Sequence, residues 1–100
     1  FLSGGTGADR LLGRNGNDII FGGPGVDTAV GGRGDDVFIL SSAPGRLEVQ
    51  DFTRGEDLFE LRGMSFDDLS FKNNSVYFDG SIIAMTVGLA ATSLTESDFL

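Results

Sequence analysis

After Phe1-Leu2, the apolar residues up to position 39 gather mainly into four clusters of similar size, at 11–12, 19–21, 29–30 and 37–39. Their central residues, Leu11, Ile20, Ala29 and Phe38, are spaced nine apart. Three residues form a minimal strand whose middle side chain points opposite to its neighbours. A strand this short buries nothing alone, so the pattern predicts units that stack. If the intervening turns alternate sides of a flattened coil, two units make one winding, and units one and three, like units two and four, become vertical neighbours.

After Ile39 the period stops. Residues 40–47, with Pro44, read as a loop. Residues 47–61 alternate apolar positions around a Thr-Arg-Gly-Glu turn, which predicts two strands joined by that turn. Ser65 is placed to cap a short helical turn, with Asp67 and Asp68 on its exposed start. Asp79-Gly80 between two β-rich runs in 74–87 is a hairpin signal. Ser93 and Glu96 have the spacing of a capping box for a last short helix. Phe52, Phe59, Phe66, Phe71 and Phe78 are the expected core of this half.

What lies between the apolar clusters carries the chemistry. Residues 4–39 divide into GGTGADRLL, GRNGNDIIF, GGPGVDTAV and GGRGDDVFI. Gly4, Gly13, Gly22 and Gly31 hold the first position, Gly7, Gly16, Gly25 and Gly34 the fourth, and Asp9, Asp18, Asp27 and Asp36 the sixth. Glycine enters positive-φ conformations that other residues reach only at a cost, so each unit can turn tightly. A turn this sharp points its carbonyls inward. Carbonyls with an aspartate form a hard oxygen cage that suits Ca²⁺ better than the more rigid, more hydrated Mg²⁺. The candidate ligands are Asp9, Asp18, Asp27 and Asp36 with the turn glycines Gly5, Gly7, Gly16, Gly23, Gly25, Gly32 and Gly34. Stacking pairs Asp9 with Asp27 and Asp18 with Asp36, which makes two sites. Arg14 stands where unit two should have its second glycine and either distorts that turn or projects outward. Pro24 loses an N–H but keeps its carbonyl.

Composition narrows the alternatives. With no Cys and no His in 100 residues, disulfides, zinc sites and His-based catalysis are excluded, so any inorganic staple must use oxygen ligands. A net charge of -8 argues against nucleic acid, and two dications would halve it. Ion binding and folding should then be one event. No phosphate-binding G-K-[ST] is present, and the acid spacing is not that of an EF-hand loop. No apolar run approaches the ~20 residues of a membrane span. No charged-then-apolar leader opens the chain, and residues 1–3 look like the tail of a further repeat, so the chain is expected to begin inside a longer protein.

The nonapeptide resembles the G-G-x-G-x-D-x-apolar-x repeat of the RTX (repeats-in-toxin) family, which forms calcium-binding parallel β-helices. That resemblance implies an all-β fold, with a calcium-binding β-roll over 1–39 and a β-rich cap with short helical turns over 40–100. The run from Asp51 to Asp57 is similar to the D-F-x-x-G-x-D segment that follows many such rolls. By that similarity Asp57 and Asp51 are candidates for a third calcium site, with a solvated turn at Glu56-Asp57 as the alternative. The ending Asp98-Phe99-Leu100 is similar to some type I secretion signals, which implies type I secretion machinery as a partner and a secreted or cell-surface location. The function implied is a non-catalytic calcium-binding module that folds after export. The alternatives are the C-terminal part of a secreted protease, lipase or polysaccharide-modifying enzyme with its catalytic domain upstream, or a calcium-set adhesin or surface-layer module. Exposed aromatics around Tyr77 would favour the adhesive reading. The open N-terminal coil also leaves an edge for self-association.

Overall fold

A computed structural model describes residues 1–41 and 45–100, and it is an all-β roll closed at one end. The strands are β1 (Leu2–Ser3), β2 (Arg10–Leu12), β3 (Ile19–Phe21), β4 (Gly25–Val30), β5 (Val37–Ser41), β6 (Gly45–Val49), β7 (Leu58–Arg62), β8 (Leu69–Lys72), β9 (Ser75–Phe78) and β10 (Ser81–Thr86). Odd strands form one sheet in the order β1-β3-β5-β7, and the other sheet runs β2-β4-β6-β10-β9-β8. Every pair within the roll is parallel. Leu2 faces Ile20, Leu11 faces Ala29 and Ile20 faces Phe38, a register of 18 residues. The chain therefore alternates between the two sheets, and two nonapeptides make one winding.

The middle residue of each short strand points inward, so two columns fill the space between the sheets. Leu2, Ile20, Phe38 and Phe59 come from one sheet, and Leu11, Ala29 and Val49 from the other. Ile20, Ala29, Phe38, Val49 and Phe59 have no exposed surface. Each large apolar side chain buried this way contributes about 1.5–3 kcal/mol.

The ladder does not stop where the nonapeptide pattern does. Ala29 pairs with Val49 and Phe38 with Phe59, so the last windings lengthen to registers of 20 and 21 residues. The loop expected at 40–47 is narrower than its sequence suggests: β5 runs to Ser41 and β6 starts at Gly45, and residues 42–44, with Pro44, lie outside the described residues. The two strands expected in 47–61 form, but they do not pair with each other. β6 joins β4 and β7 joins β5, on opposite sheets. The connection over 50–57 crosses from one sheet to the other, because each strand finds its partner in the winding before it.

Beyond β7 the chain closes the roll. A 3₁₀ turn at Phe66–Asp68 follows Ser65, whose N–H and hydroxyl both donate to Asp68 Oδ2, at 2.9 and 3.1 Å. β9 and β10 form the expected antiparallel hairpin, with positive φ at both Asp79 and Gly80, as a two-residue primed turn requires. β10 then adds in parallel to β6. The last capping box sits two residues later than the sequence suggests. Thr95 N–H donates to Asp98 Oδ2 at 2.8 Å, over a 3₁₀ turn at Glu96–Asp98. Ser93 instead ends an earlier turn and donates its hydroxyl to the Ala90 carbonyl.

Phe52 and Phe59 stack at 4.5 Å between centroids, and Phe99 lies 5.4 Å from Phe59. Phe66 and Phe71 pack on Phe99 and, like Phe78, are half-buried against the core. Tyr77 is half-buried as well. Phe99 also bridges β7 at Phe59, and the Leu100 N–H donates to the Phe59 carbonyl at 2.7 Å. No helix among the described residues is long and apolar enough to cross a membrane.

Candidate metal centre

The turns of the roll line its two edges. Residues 4–9 and 22–27 are neighbours on one edge, while 13–18, 31–36 and 51–57 follow one another on the other. Asp27 Oδ1 accepts the N–H of Asp9 at 2.8 Å, and Asp36 Oδ1 accepts the N–H of Asp18 at 2.9 Å. The carboxylates paired from sequence are thus stacked neighbours, one winding apart.

Those hydrogen bonds use one oxygen of Asp27 and one of Asp36. Asp9, Asp18, Asp27 and Asp36 each bury an Oδ2 that has no hydrogen-bond partner. An unsatisfied buried polar group costs about 1–3 kcal/mol, and more when charged, so four in register call for a compensating cation. Each Oδ2 lies against the first glycine of its own unit. A Cβ would sit 2.8 Å from Asp9 Oδ2 at Gly4 and 2.7 Å from the aspartate oxygen at Gly13 and Gly22. Only glycine leaves room for the carboxylate to fold back over the turn. The first-position glycines therefore shape the turn around each aspartate, although the candidate ligand set omits them; their regular spacing in the repeat is the signal that marks them.

Carbonyls complete the lining. A Cβ on Gly23 would meet Gly5 O at 2.8 Å, one on Gly34 would meet Gly16 O at 2.5 Å, and one on Gly25 would strike Gly7 O. Each turn thus presents its carbonyls to the turn of the next winding. The seven candidate glycines Gly5, Gly7, Gly16, Gly23, Gly25, Gly32 and Gly34 all have positive φ, between 75° and 101°. Arg14 keeps the same turn at φ 70°, with its side chain exposed and its carbonyl set against Gly32. It projects outward and leaves the turn intact. Among the described residues no cluster of three or more acidic, His or Cys side chains could hold a metal ion. An ion here would take most of its ligands from the main chain, which is hard-oxygen chemistry suited to Ca²⁺.

Burial raises the pKa of Asp27, partly offset by the hydrogen bond from Asp9. Burial pushes Asp36 up to about 6 against the hydrogen bond from Asp18, with repulsion from Asp57, Asp18 and Asp51 adding to it. Among the described residues neither group has a positive partner.

Asp51 and Asp57 are placed differently. Asp57 continues the column below Asp36: its Oδ1 accepts the Asp36 N–H at 2.9 Å, and its Oδ2 accepts the Thr53 N–H at 2.9 Å. Asp51 straddles the last repeat, accepting the N–H groups of Gly31 and Gly32 at 2.8 Å each. Every oxygen of this pair already has a main-chain donor. The tripeptide Asp57-Leu58-Phe59 repeats the Asp-x-apolar ending of the four units, a signal that β7 is a further rung. On the other edge Leu47 faces Asp27 across the ladder, so the column of aspartates ends there. Arg54, in the same connection as Asp57, donates to buried Asp98 at 3.2 Å and ties the chain's end to the last turn.

The RTX calcium-binding nonapeptide repeat matches residues 2–38 in four copies. The solution structure of the AlgE6R3 subunit from the Azotobacter vinelandii mannuronan C5-epimerase is similar in fold. Its TM-score is 0.66 at 21% identity, covering 99% of this chain and 73% of that one. No curated protein matches the chain. The stacked turns and the matched repeat agree: residues 2–38 match the RTX calcium-binding nonapeptide repeat in four copies and wind into a β-roll.

Proposed function

We propose that this chain is a non-catalytic module of an exported protein, in which residues 1–39 bind Ca²⁺, β6 and β7 extend the roll, and the residues beyond β7 cap it. One ion lies between the turns of Asp9 and Asp27, with Gly5, Gly7, Gly23 and Gly25 as carbonyl donors. A second lies between those of Asp18 and Asp36, with Gly16, Gly32 and Gly34. The observation that carries this reading is the set of four buried, unpartnered Oδ2 atoms, one per repeat. A third ion between the turns of Asp36 and Asp57 would have to share Asp51 and Asp57 with the N–H groups they already accept, so it is the weakest of the three.

The reading couples folding to location. Without the ion the aspartates repel one another, and a glycine-rich acidic segment gains too little from collapse to order itself. Outside the cell, where modules of this kind bind with Kd of ~10⁻⁴ to 10⁻³ M, calcium winds the roll against its cap. Type I export of the unwound chain fits this order of events. Calcium titration followed by far-UV circular dichroism tests it: β signal should rise with calcium and fall with a chelator. Equal β content in both conditions would refute the coupling.

A second reading is that the module belongs to a secreted polysaccharide-modifying enzyme with its catalytic domain upstream. The fold likeness to a mannuronan epimerase subunit favours it. The sequence preceding these repeats in the full-length gene product decides between the two.

A further inference from the structure

The second turn contains Asn15-Gly16, an asparagine at the variable position of unit two directly before its fourth-position glycine. Both residues are exposed. Among the described residues the Gly16 N–H donates no hydrogen bond. A Cβ on Gly16 would meet nothing within 4 Å, so the Cα side of this residue is open while its carbonyl faces Gly34. The other asparagines differ. Asn17 is followed by Asp18, and its side-chain oxygen is held by the Asp35 N–H at 2.8 Å. Asn73 and Asn74 precede residues with side chains, and their carbonyls accept from Ala91 and Thr86.

We propose that the Asn15-Gly16 bond is a spontaneous deamidation site that calcium shields. The Gly16 nitrogen attacks the Asn15 side-chain carbon, and ammonia leaves as the new carbon–nitrogen bond closes a five-membered succinimide. Water then opens the ring at either carbonyl, giving aspartate or isoaspartate at position 15. No oxidant or reductant is involved. Glycine permits the reaction because no side chain blocks its nitrogen or restricts its rotation. Isoaspartate adds one carbon to the main chain inside a turn whose Gly16 carbonyl sits against Gly34. Conversion should therefore unseat the turn of Asp18 and weaken the edge it shares with Asp36.

The shielding part rests on the calcium reading above. Ring closure brings the Gly16 nitrogen onto the Asn15 side-chain carbon and so needs freedom in the main chain at 15–16, which an ion held by the carbonyls of this turn restricts. The chain is incubated in mildly alkaline buffer with calcium or with a chelator, then digested and mapped by mass spectrometry. In chelator, Asn15 should convert several-fold faster than Asn17, Asn73 or Asn74, and an Asn15→Gln variant should remove that product. If Asn15 converts no faster than the others, the site is wrong. Calcium should slow Asn15 several-fold. If calcium leaves its rate unchanged while β signal still rises with calcium, the shielding is wrong and the calcium reading stands; without that rise, the calcium reading itself fails.

Discussion

Replacing Asp27 by Asn should move stability in opposite directions with and without calcium. Asp27 is fully buried, its Oδ1 holds the Asp9 N–H at 2.8 Å, and its Oδ2 has no partner. Asparagine keeps the accepting oxygen and nearly the same volume while removing the charge. Without calcium the variant removes a buried charge and its repulsion with Asp9, while its amide nitrogen inherits the unpartnered position, so the net gain is about 1 kcal/mol. With calcium it removes one of two carboxylates facing a dication. Breaking a buried charge pair costs about 3–5 kcal/mol, and the loss should approach that range. Urea unfolding followed by circular dichroism, in chelator and in saturating calcium, measures both arms. Where the parent chain is unfolded in chelator, the gain appears as recovered β signal. A loss of equal size in both conditions would reduce Asp27 to a hydrogen-bond acceptor and refute the ion-binding argument.

Three further outcomes follow from the same geometry. Gly7 and Gly34 both have positive φ, but only at Gly34 would a Cβ meet another turn, at 2.5 Å from Gly16 O. Gly7→Ala should therefore cost only the conformational term of about 1–3 kcal/mol. Gly34→Ala should cost clearly more and weaken calcium binding, and titrations of the two variants compare them. Arg14→Gly relieves a left-handed arginine that costs about 1–2 kcal/mol, less the extra unfolded-state freedom of glycine at about 0.5–1 kcal/mol. A net stabilisation of up to about 1.5 kcal/mol should raise the thermal midpoint. The calcium-free chain should respond to pH with a definite sign. Because burial lifts Asp36 from 3.8 to about 6, folding takes up protons. Stability is fully present below pH 3.8 and lost as pH rises to about 6. Circular dichroism of the calcium-free chain across that window checks it as β signal falling with rising pH, and a β signal that rises with pH would contradict it.

The local chemistry of the roll is written in its sequence. A glycine pair with an aspartate every nine residues dictates the turn, and an apolar residue two places after each aspartate dictates a rung, because both depend on contacts inside one unit. The 18-residue stacking follows once alternate turns must lie on opposite edges. The hairpin at Asp79-Gly80 is legible for the same local reason. What happens after Ile39 was settled by long-range contacts. Strands β6 and β7 read locally as partners around a turn, yet each finds a lower-energy neighbour in the winding before it, where unpaired strand edges and two inward columns await completion. The repeat conceals this, since the windings lengthen from 18 to 20 and 21 residues while the strands keep their register. The division among the aspartates was likewise tertiary. Six share one residue type and similar surroundings in sequence, but four keep an unpartnered buried oxygen, whereas Asp51 and Asp57 hold main-chain donors of the last turn. Which oxygens remain free for an ion depends on which N–H groups the neighbouring winding brings within reach, and only the stacked chain decides that.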